Sequence, residues 1–276
     1  DEFVGSTLQP IAARIGLLVI DEAHCISDWG HDFRPDYRRI GQVLARLPVN
    51  ISVLATTATA NRRVEQDAAA QLGGAVVVQR GPLVRESLAL QNMRMPGPAD
   101  RLAWMADQIP QLPGSGIVYT LTIRDADRVA EWLRQNNVEA HAYHKDIPVE
   151  QKLKLEQALL ANEVKCLVAT TALGMGYDKP DLTFVIHYQT PGNVVAYYQQ
   201  VGRAGRAIPV AYGVLLSGEE DDDINEYFRE SAFPSEWQVT RILDALEAAD
   251  EGLKVREIER AVNLRQSQIE KVLKLL

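Results

Sequence analysis

The sequence lacks several features that would place it in a protein class at once. It has only two cysteines, Cys25 and Cys166, in 276 residues, too few for a disulfide framework or a four-cysteine zinc site. Its apolar runs are far shorter than a membrane span, and its first residues do not resemble a signal peptide. No Gly-Lys dipeptide occurs and the first lysine is Lys145, so a phosphate-binding loop of the Gly-x-x-x-x-Gly-Lys-Ser/Thr type is absent.

The chain also lacks the excess of basic residues that nucleic-acid-binding proteins usually carry. It has 29 lysines and arginines against 37 acids, a net charge of −8. The acidity is local, because residues 217–251 hold 12 acids and 2 basic residues, whereas residues 1–216 hold 22 and 21. The composition, 46% hydrophobic and 24% charged, is that of a globular protein, and the length predicts two or three domains. The low cysteine count makes the cytoplasm the default location.

Short apolar runs alternate with helical patterns as far as residue 217, as in parallel α/β folds. Continuous apolar runs at 16–20, 51–55 and 75–78 predict strands buried on both faces, and Asn61 is a candidate N-cap for the helix between the last two. Residues 93–98 indicate a linker. Further strands are predicted at 116–119, 138–143, 165–169, 183–187 and 211–216, with helices at 123–133, 149–160 and 194–201.

The segment after Ser217 opens with five acids at 219–223 and then has helical patterns only. Its end is typical of a helix-turn-helix, with a break at Asn263 and Ser267 as N-cap of the last helix. Residues 252–276 have six basic residues against three acids, which leaves open a DNA-contacting recognition helix or a plain helical bundle. The predicted regions are 1–94, 95–217 and 218–276.

The first chemical signal is Asp21-Glu22-Ala23-His24, directly after the first predicted strand. Ligand sites of open parallel sheets lie at the carboxyl ends of strands, which is where these acids fall. There, one acid can hold Mg²⁺ through water while the other activates the water that attacks a γ-phosphate. For Asp-Glu alone, a solvated strand end is an equally good interpretation, and Ala23-His24 makes the catalytic one sharper.

Residues 21–37, Asp-Glu-Ala-His-Cys-Ile-Ser-Asp-Trp-Gly-His-Asp-Phe-Arg-Pro-Asp-Tyr, resemble the Walker B motif and aromatic-rich loop of RecQ-family DNA helicases in superfamily 2. Thr57-Ala58-Thr59 resembles motif III, residues 169–180 resemble motif V, and residues 199–206, Gln-Gln-Val-Gly-Arg-Ala-Gly-Arg, resemble motif VI. The resemblance covers residues 14–217. It implies two tandem RecA-like lobes of parallel sheet, the first one truncated, followed by a small helical segment like the start of a winged helix.

By this resemblance, Asp21 would hold Mg²⁺, Glu22 would be the catalytic base, and Arg203 and Arg206 would be arginine fingers. His24 and Gln199 would couple the lobes. The implied nucleotide-contacting residues are Asp21, Glu22, Gly176, Asp178, Arg203 and Arg206. The implied nucleic-acid contacts are Trp29, His31, Phe33, Arg34, Thr57, Thr59, Tyr119, Thr170, Thr171 and Lys179.

The expected activity is ATP-dependent unwinding of DNA in the 3′→5′ direction during repair or recombination, by a monomer that uses ATP and Mg²⁺ without zinc or a membrane. Single strands and duplex junctions of DNA are the expected partners, and the bacterial nucleoid the expected place of action. Gln200 stands where the family usually has Glu, and Ala207 follows the second arginine where Asp is usual. Because the phosphate loop is missing, the chain alone is expected to be inactive. An RNA helicase of the DEAD/DEAH class and a non-catalytic nucleic-acid-binding scaffold remain alternatives.

Overall fold

The computed structural model describes residues 4–26, 37, 39–47, 51–73, 76–82, 84–95, 97–173, 177–232, 235–249 and 252–273. The chain divides into two compact units, residues 1–80 together with 231–276, and residues 81–230. We call residues 1–80 the N-terminal region and residues 81–230 the central region. Within the described ranges, no helix combines the length and apolar character needed to cross a membrane.

The described part of the N-terminal region contains a two-stranded parallel sheet. Strand β1 (Leu17–Ile20) pairs with β2 (Ser52–Ala55), with Leu17 opposite Ser52. Ile20, Ala23 and Ile26 form its small buried core. Helices α1 (Gln9–Ile11), α2 (Arg39–Leu44) and α3 (Arg62–Gln71) complete this region.

Helix α3 begins where the sequence predicts it. The Asn61 side chain accepts hydrogen bonds from the backbone N–H groups of Arg63 and Val64, which satisfies two donors of the first turn. The strand predicted at 75–78 is wrong for its described part, because Val76 to Val78 form no strand and are exposed. An apolar run alone does not make a strand, since a strand also needs a partner for its backbone.

The central region contains a six-stranded, all-parallel sheet of order β3-β8-β7-β4-β6-β5. Residues at the middle of this sheet, such as Ile117, Leu167 and Val185, are fully buried, as is usual for a parallel sheet covered on both faces. Its strands are β3 (Leu88–Arg94), β4 (Gly116–Tyr119), β5 (Ala140–Tyr143), β6 (Cys166–Ala169), β7 (Phe184–His187) and β8 (Ala211–Ser217). Its helices are α4 (Pro98–Gln108), α5 (Ile123–Gln135), α6 (Val149–Leu160) and α7 (Val194–Val201).

Strand β3 departs from the predicted organisation. From the sequence, residues up to Arg94 are predicted to belong to the first lobe, and Met93 and Arg94 to a linker. In the structure, all seven residues of β3 pair with β8. The division between the sheets therefore falls before Leu88. Residues 88–94 do not form a continuous apolar run, because an edge strand buries less of its surface than a central one; Leu90 is 58% exposed.

The acidic run after Ser217 is also tied to the central region. It leads into helix α8 (Asp221–Ala232), whose first residue is buried. The guanidinium of Arg101, fully buried in α4, contacts Asp221 Oδ1 at 3.1 Å and also pairs with Glu220. It donates a hydrogen bond to the Tyr188 carbonyl at 2.8 Å and lies over the Tyr188 ring. Part of the acidity is therefore a buried counter-charge rather than a solvated linker.

The last helices form a core of their own. Helices α9 (Glu236–Glu247), α10 (Val255–Val262) and α11 (Gln266–Leu273) surround Ile242, Ile258 and Ile269, all of which are buried. The predicted break is present, because Asn263 is left-handed with φ of 53° and ends α10. The predicted N-cap Ser267 is wrong, since α11 already begins at Gln266.

Candidate functional site

Asp21 and Glu22 lie at the carboxyl end of β1, as predicted. Asp21 Oδ1 accepts hydrogen bonds from the Thr56 hydroxyl at 2.7 Å and from the Glu22 backbone N–H at 2.9 Å. Both hydrogen bonds lower the pKa of Asp21 below its ordinary value, the bond from Thr56 more than the bond from Glu22. Thr56 follows β2, so the two neighbouring strand ends together present an oriented, ionised carboxylate at an exposed position.

Glu22 has an unusual backbone. Its φ is +50°, the left-handed region that non-glycine residues seldom adopt, and such conformations persist where the surroundings impose them. Its Oε2 lies 3.1 Å from Nδ1 of His24. His24 is 1% exposed, and the same Nδ1 lies 3.1 Å from the Thr57 hydroxyl, which in turn accepts a hydrogen bond from the Thr59 N–H. The buried imidazole thus links the carboxylate to the Thr57–Thr59 segment.

Several predicted contacts fall outside the described residues. These are the aromatic and charged side chains of the loop after Ile26 and one glycine of motif V, namely Trp29, His31, Phe33, Arg34 and Gly176.

The predicted arginines of motif VI lie beside the predicted residues of motif V. Arg206 Nη1 contacts Asp178 Oδ1 at 2.7 Å, and Arg203 Nη1 donates a hydrogen bond to the Tyr177 carbonyl at 3.0 Å. The Arg206–Asp178 pair is largely exposed, and such pairs stabilise a fold by only about 0 to 1 kcal/mol. Arg206 can therefore leave Asp178 for a phosphate with little loss of stability.

Two of the predicted nucleic-acid contacts, Tyr119 and Lys179, are buried in this structure. Tyr119 is 3% exposed and its hydroxyl donates to the Leu173 carbonyl, so the ring cannot stack on a base. Burial, opposed by the charge of Arg203, raises the pKa of Tyr119 to about 12. Lys179 is 2% exposed, and its ammonium bonds Asp181 Oδ1 at 2.7 Å and the Leu160 carbonyl at 3.3 Å. Tyr119 ends β4 and Lys179 lies between β6 and β7, and sequence alone does not separate a buried side chain from an exposed one at either position.

Thr170 and Thr171 follow β6 and behave differently. Thr170 is 9% exposed and accepts a hydrogen bond from the Ala172 N–H, whereas Thr171 is exposed. Gln199 lies on α7, four residues before Arg203, and is half-buried.

His187, the last residue of β7, belongs to none of the motifs identified in the sequence. Its ring is stacked on Tyr119, with centroids 5.5 Å apart, and is tilted against Tyr197 at 5.0 Å. Its Nε2 bonds Gln200 Oε1 at 2.9 Å. Burial lowers the pKa of His187 to about 4, against the effect of this hydrogen bond. The unusual Gln200 of motif VI is therefore an uncharged partner for a neutral histidine.

Comparisons with known proteins agree with these motifs. The DEAD/DEAH box helicase model matches residues 4–67 and the helicase conserved C-terminal domain model matches residues 102–208. The probable ATP-dependent DNA helicase RecS of Bacillus subtilis is 33% identical over 239 residues, 86% of this chain and 48% of that protein. The ATP-dependent DNA helicase RecQ of the same organism is 36% identical over 227 residues, 81% of this chain and 38% of that protein.

The chain belongs to the RecQ family of superfamily 2 helicases.

The solved structures most informative for the fold are other helicases. Mycobacterium smegmatis Lhr, bound to single-stranded DNA and AMP-PNP, matches with a TM-score of 0.64 and 18% identity over 99% of this chain and 40% of its own. S. cerevisiae Dbp5, bound to RNA and ADP BeF3, matches with a TM-score of 0.62 and 20% identity over 80% of this chain and 61% of its own. These likenesses confirm the predicted tandem RecA-like fold.

This RecQ-family chain spans between about a fifth and a half of the length of the curated relatives it matches. The family name implies ATP and, with it, Mg²⁺, and the donor set of this chain fits both. Asp21 offers an ionised, exposed oxygen, the ligand type that Mg²⁺ prefers, and Arg203 and Arg206 offer guanidinium groups suited to phosphate. In the described ranges no three His, Cys, Asp or Glu side chains cluster as a metal site.

Proposed function

We propose that the complete protein is an ATP-dependent DNA helicase of the RecQ type that moves 3′→5′ and acts in repair or recombination. The observation that carries the proposal is the end of β1, where Thr56 orients an ionised Asp21 and Nδ1 of the buried His24 lies 3.1 Å from the neighbouring Glu22 carboxylate. Two adjacent carboxylates with different partners can divide the work of metal binding and proton transfer. The relatives that match this chain are named as DNA helicases, which supports DNA as the substrate.

In this proposal Asp21 would hold Mg²⁺ through water, and Mg²⁺ would supply positive charge next to the phosphate oxygens. Glu22 orients the attacking water and accepts its proton, while His24 keeps the Glu22 carboxylate in place. Arg203 and Arg206 stabilise the charge that develops on the transferred phosphoryl group. His24 also contacts Thr57, which gives a route by which motif III responds to the state of Glu22.

Thr57, Thr59, Thr170 and Thr171 are proposed to contact the DNA backbone together with the loop that carries Trp29, His31, Phe33 and Arg34. Contacts of this kind tolerate different sequences and weaken as salt is added. The nearly neutral charge of residues 1–216, with 22 acids and 21 basic residues, predicts weak long-range attraction to DNA. We also propose that the protein is a monomer, that it needs no zinc, and that it acts in the cytoplasm at the bacterial nucleoid.

The catalytic role of Glu22 is tested by Glu22→Gln in the full-length protein. The substitution keeps the size of the side chain but removes the base, so ATP turnover in the presence of DNA should fall at least about a hundredfold. Circular dichroism and DNA binding should stay near wild type. Unwinding at the wild-type rate would exclude the catalytic interpretation and favour the scaffold.

An RNA helicase is the second candidate, because the Dbp5 structure that shares this fold is bound to RNA. Competition between DNA and RNA strands of the same sequence for the full-length protein separates the two. DNA should displace RNA at equal concentration. Preference for RNA, together with ATP turnover stimulated only by RNA, would replace the DNA proposal.

A further inference from the structure

Two side chains before β3 hold the turn that carries the motif VI arginines. Arg85 Nη1 donates hydrogen bonds to the carbonyl oxygens of Gly202 at 2.6 Å and Ala204 at 2.8 Å. The Ser87 hydroxyl donates to the carbonyl of Gly205 at 2.7 Å. Both residues lie outside every helicase motif of the sequence analysis, and they are separated from the turn by more than a hundred residues.

The first of these contacts follows from the end of helix α7. The last carbonyl groups of a helix have no partner within the helix, and cations near this end are favourable. Gly202 is the C-cap of α7, so the Arg85 guanidinium meets a carbonyl that needs a donor. An arginine suits this place because its planar group can donate to two carbonyls at once.

The second contact depends on close packing. Gly205 has φ of +72°, and a Cβ at this position would lie 2.8 Å from Ser87 Oγ and 3.1 Å from Ala211 Cβ. The Ser87 carbonyl also accepts a hydrogen bond from the Ala211 N–H at 2.7 Å, which fixes the segment against the first residue of β8. Ser87 therefore connects the turn to the sheet, in addition to the backbone hydrogen bonds that the Arg203 and Ala204 N–H groups donate within the turn.

The three carbonyl groups belong to residues that are next to the two arginines in the chain. Arg203 lies between Gly202 and Ala204, and Arg206 follows Gly205. Holding these carbonyls therefore fixes the backbone from which both guanidinium groups extend. We propose that Arg85, together with Ser87, is a positioning pair that sets the reach of Arg203 and Arg206 toward phosphate. This inference rests on the proposed role of the two arginines.

Arg85 can be removed without disturbing the core. Its side chain is exposed and its hydrogen bonds to Gly202 and Ala204 are with backbone oxygens, so Arg85→Ala leaves no buried cavity. A small misplacement of a catalytic group can lower a rate about a hundredfold. We therefore expect kcat for ATP hydrolysis to fall about 10- to 100-fold, while KM for ATP changes less than about threefold.

The experiment uses the full-length protein with saturating DNA and compares Arg85→Ala, Arg85→Lys and Ser87→Ala with wild type. Arg85→Lys should recover part of the rate, because one ammonium reaches one carbonyl but not two. Arg134→Ala is the matched control: it too is an exposed arginine of the central region that donates to a backbone carbonyl, that of Ala140 at 3.0 Å, and it should keep the wild-type kcat.

A double substitution separates positioning from general damage. If Arg85 acts through Arg206, then Arg85→Ala should change kcat less than about twofold in the Arg206→Ala background. Equal losses in both backgrounds would overturn the proposal, as would a kcat within about twofold of wild type for Arg85→Ala alone.

Hydrogen exchange gives a readout that does not depend on turnover. The backbone amides of residues 202–207 should exchange faster in Arg85→Ala than in wild type, with α5 unchanged. Unchanged exchange in the turn would overturn the inference even if turnover fell. If the wild-type protein hydrolyses no ATP but the turn still exchanges faster in Arg85→Ala than in wild type, the positioning of the turn is supported and the proposed function is removed instead.

Discussion

The two sheets of this chain have similar sequence patterns but very different burial. In the N-terminal region, Leu17 and Val19 of β1 are 52% and 54% exposed, although they belong to a continuous apolar run. In the central region, Leu167 and Val168 of β6 are fully buried. Parallel strands are normally covered on both faces. An apolar run therefore indicates that a strand needs such cover, but it does not show which part of the protein supplies it.

The predicted catalytic residues are also divided between the two regions. The N-terminal region supplies the carboxylates Asp21 and Glu22, and the central region supplies Arg203 and Arg206, held by a complete sheet. The exposed faces of β1 and β2 contrast with the buried strands of the central sheet.

The largest effect is expected for catalysis by the 276-residue chain itself. Without a phosphate-binding loop it has no lysine to bind the β- and γ-phosphates. Its DNA-stimulated ATP turnover should be more than about a thousandfold below that of the full-length protein. Turnover near that of the full-length protein would mean that the exposed N-terminal sheet is already a working lobe.

A pair of leucine substitutions tests the difference in burial. Leu167→Ala should lower the free energy of unfolding of its region by about 2 to 5 kcal/mol, because it leaves a cavity in a closed core. Leu17→Ala in the same chain should lower it by less than about 1 kcal/mol.

Denaturant unfolding of both variants gives these values, and repeating Leu17→Ala in the full-length protein sharpens the comparison. There the loss should rise to about 2 kcal/mol or more if further strands cover β1. An equally small loss in both proteins would contradict the truncated lobe.

The buried His187 predicts a pH dependence that comes from the central region. Its pKa of about 4 lies below the unfolded value of 6.5, so between these values the unfolded chain binds a proton that the folded one does not. Stability should therefore fall by about 3 kcal/mol as the pH drops from 6.5 to 4, and then stop changing on this account. Asp21, fully exposed and with a lowered pKa, acts only below its ordinary value of 3.8.

The His187→Gln variant provides the check. Unfolding measured from pH 4 to 6.5 should depend less steeply on pH in this variant by about one proton. The His187 imidazole resonances of the wild type should titrate near pH 4. A midpoint near 6.5 would show that the ring is not buried as described.

Much of the architecture follows from sequence, for reasons visible in single residues. Asn61 caps α3 as predicted, and α6 and α7 have the predicted bounds, because caps and helical periodicity are local signals. Strand β3 was missed because an edge strand needs no continuous apolar run. The pairing of Arg101 with Asp221 joins residues 120 apart, and no local pattern announces such a contact.

The candidate site divides in the same way. The motif spacing predicts the positions of Asp21, Glu22, His24, Arg203 and Arg206, and the structure brings each group together within its own sheet region. The motif spacing does not reveal that Thr56 orients Asp21, or that Tyr119 and Lys179 are buried. Side-chain burial depends on the elements that pack around a residue, which a single sequence does not specify.

Unwinding of partial duplexes by the full-length protein tests the central claim most directly. Duplexes with either a 3′ or a 5′ single-stranded overhang, in DNA and in RNA, are followed by strand-separation fluorescence with ATP and Mg²⁺. The proposed RecQ-type activity predicts that the DNA duplex with the 3′ overhang is unwound much faster than the other three, and that Glu22→Gln stops it. Unwinding of RNA alone, of the 5′ overhang alone, or of no duplex at all would contradict the account.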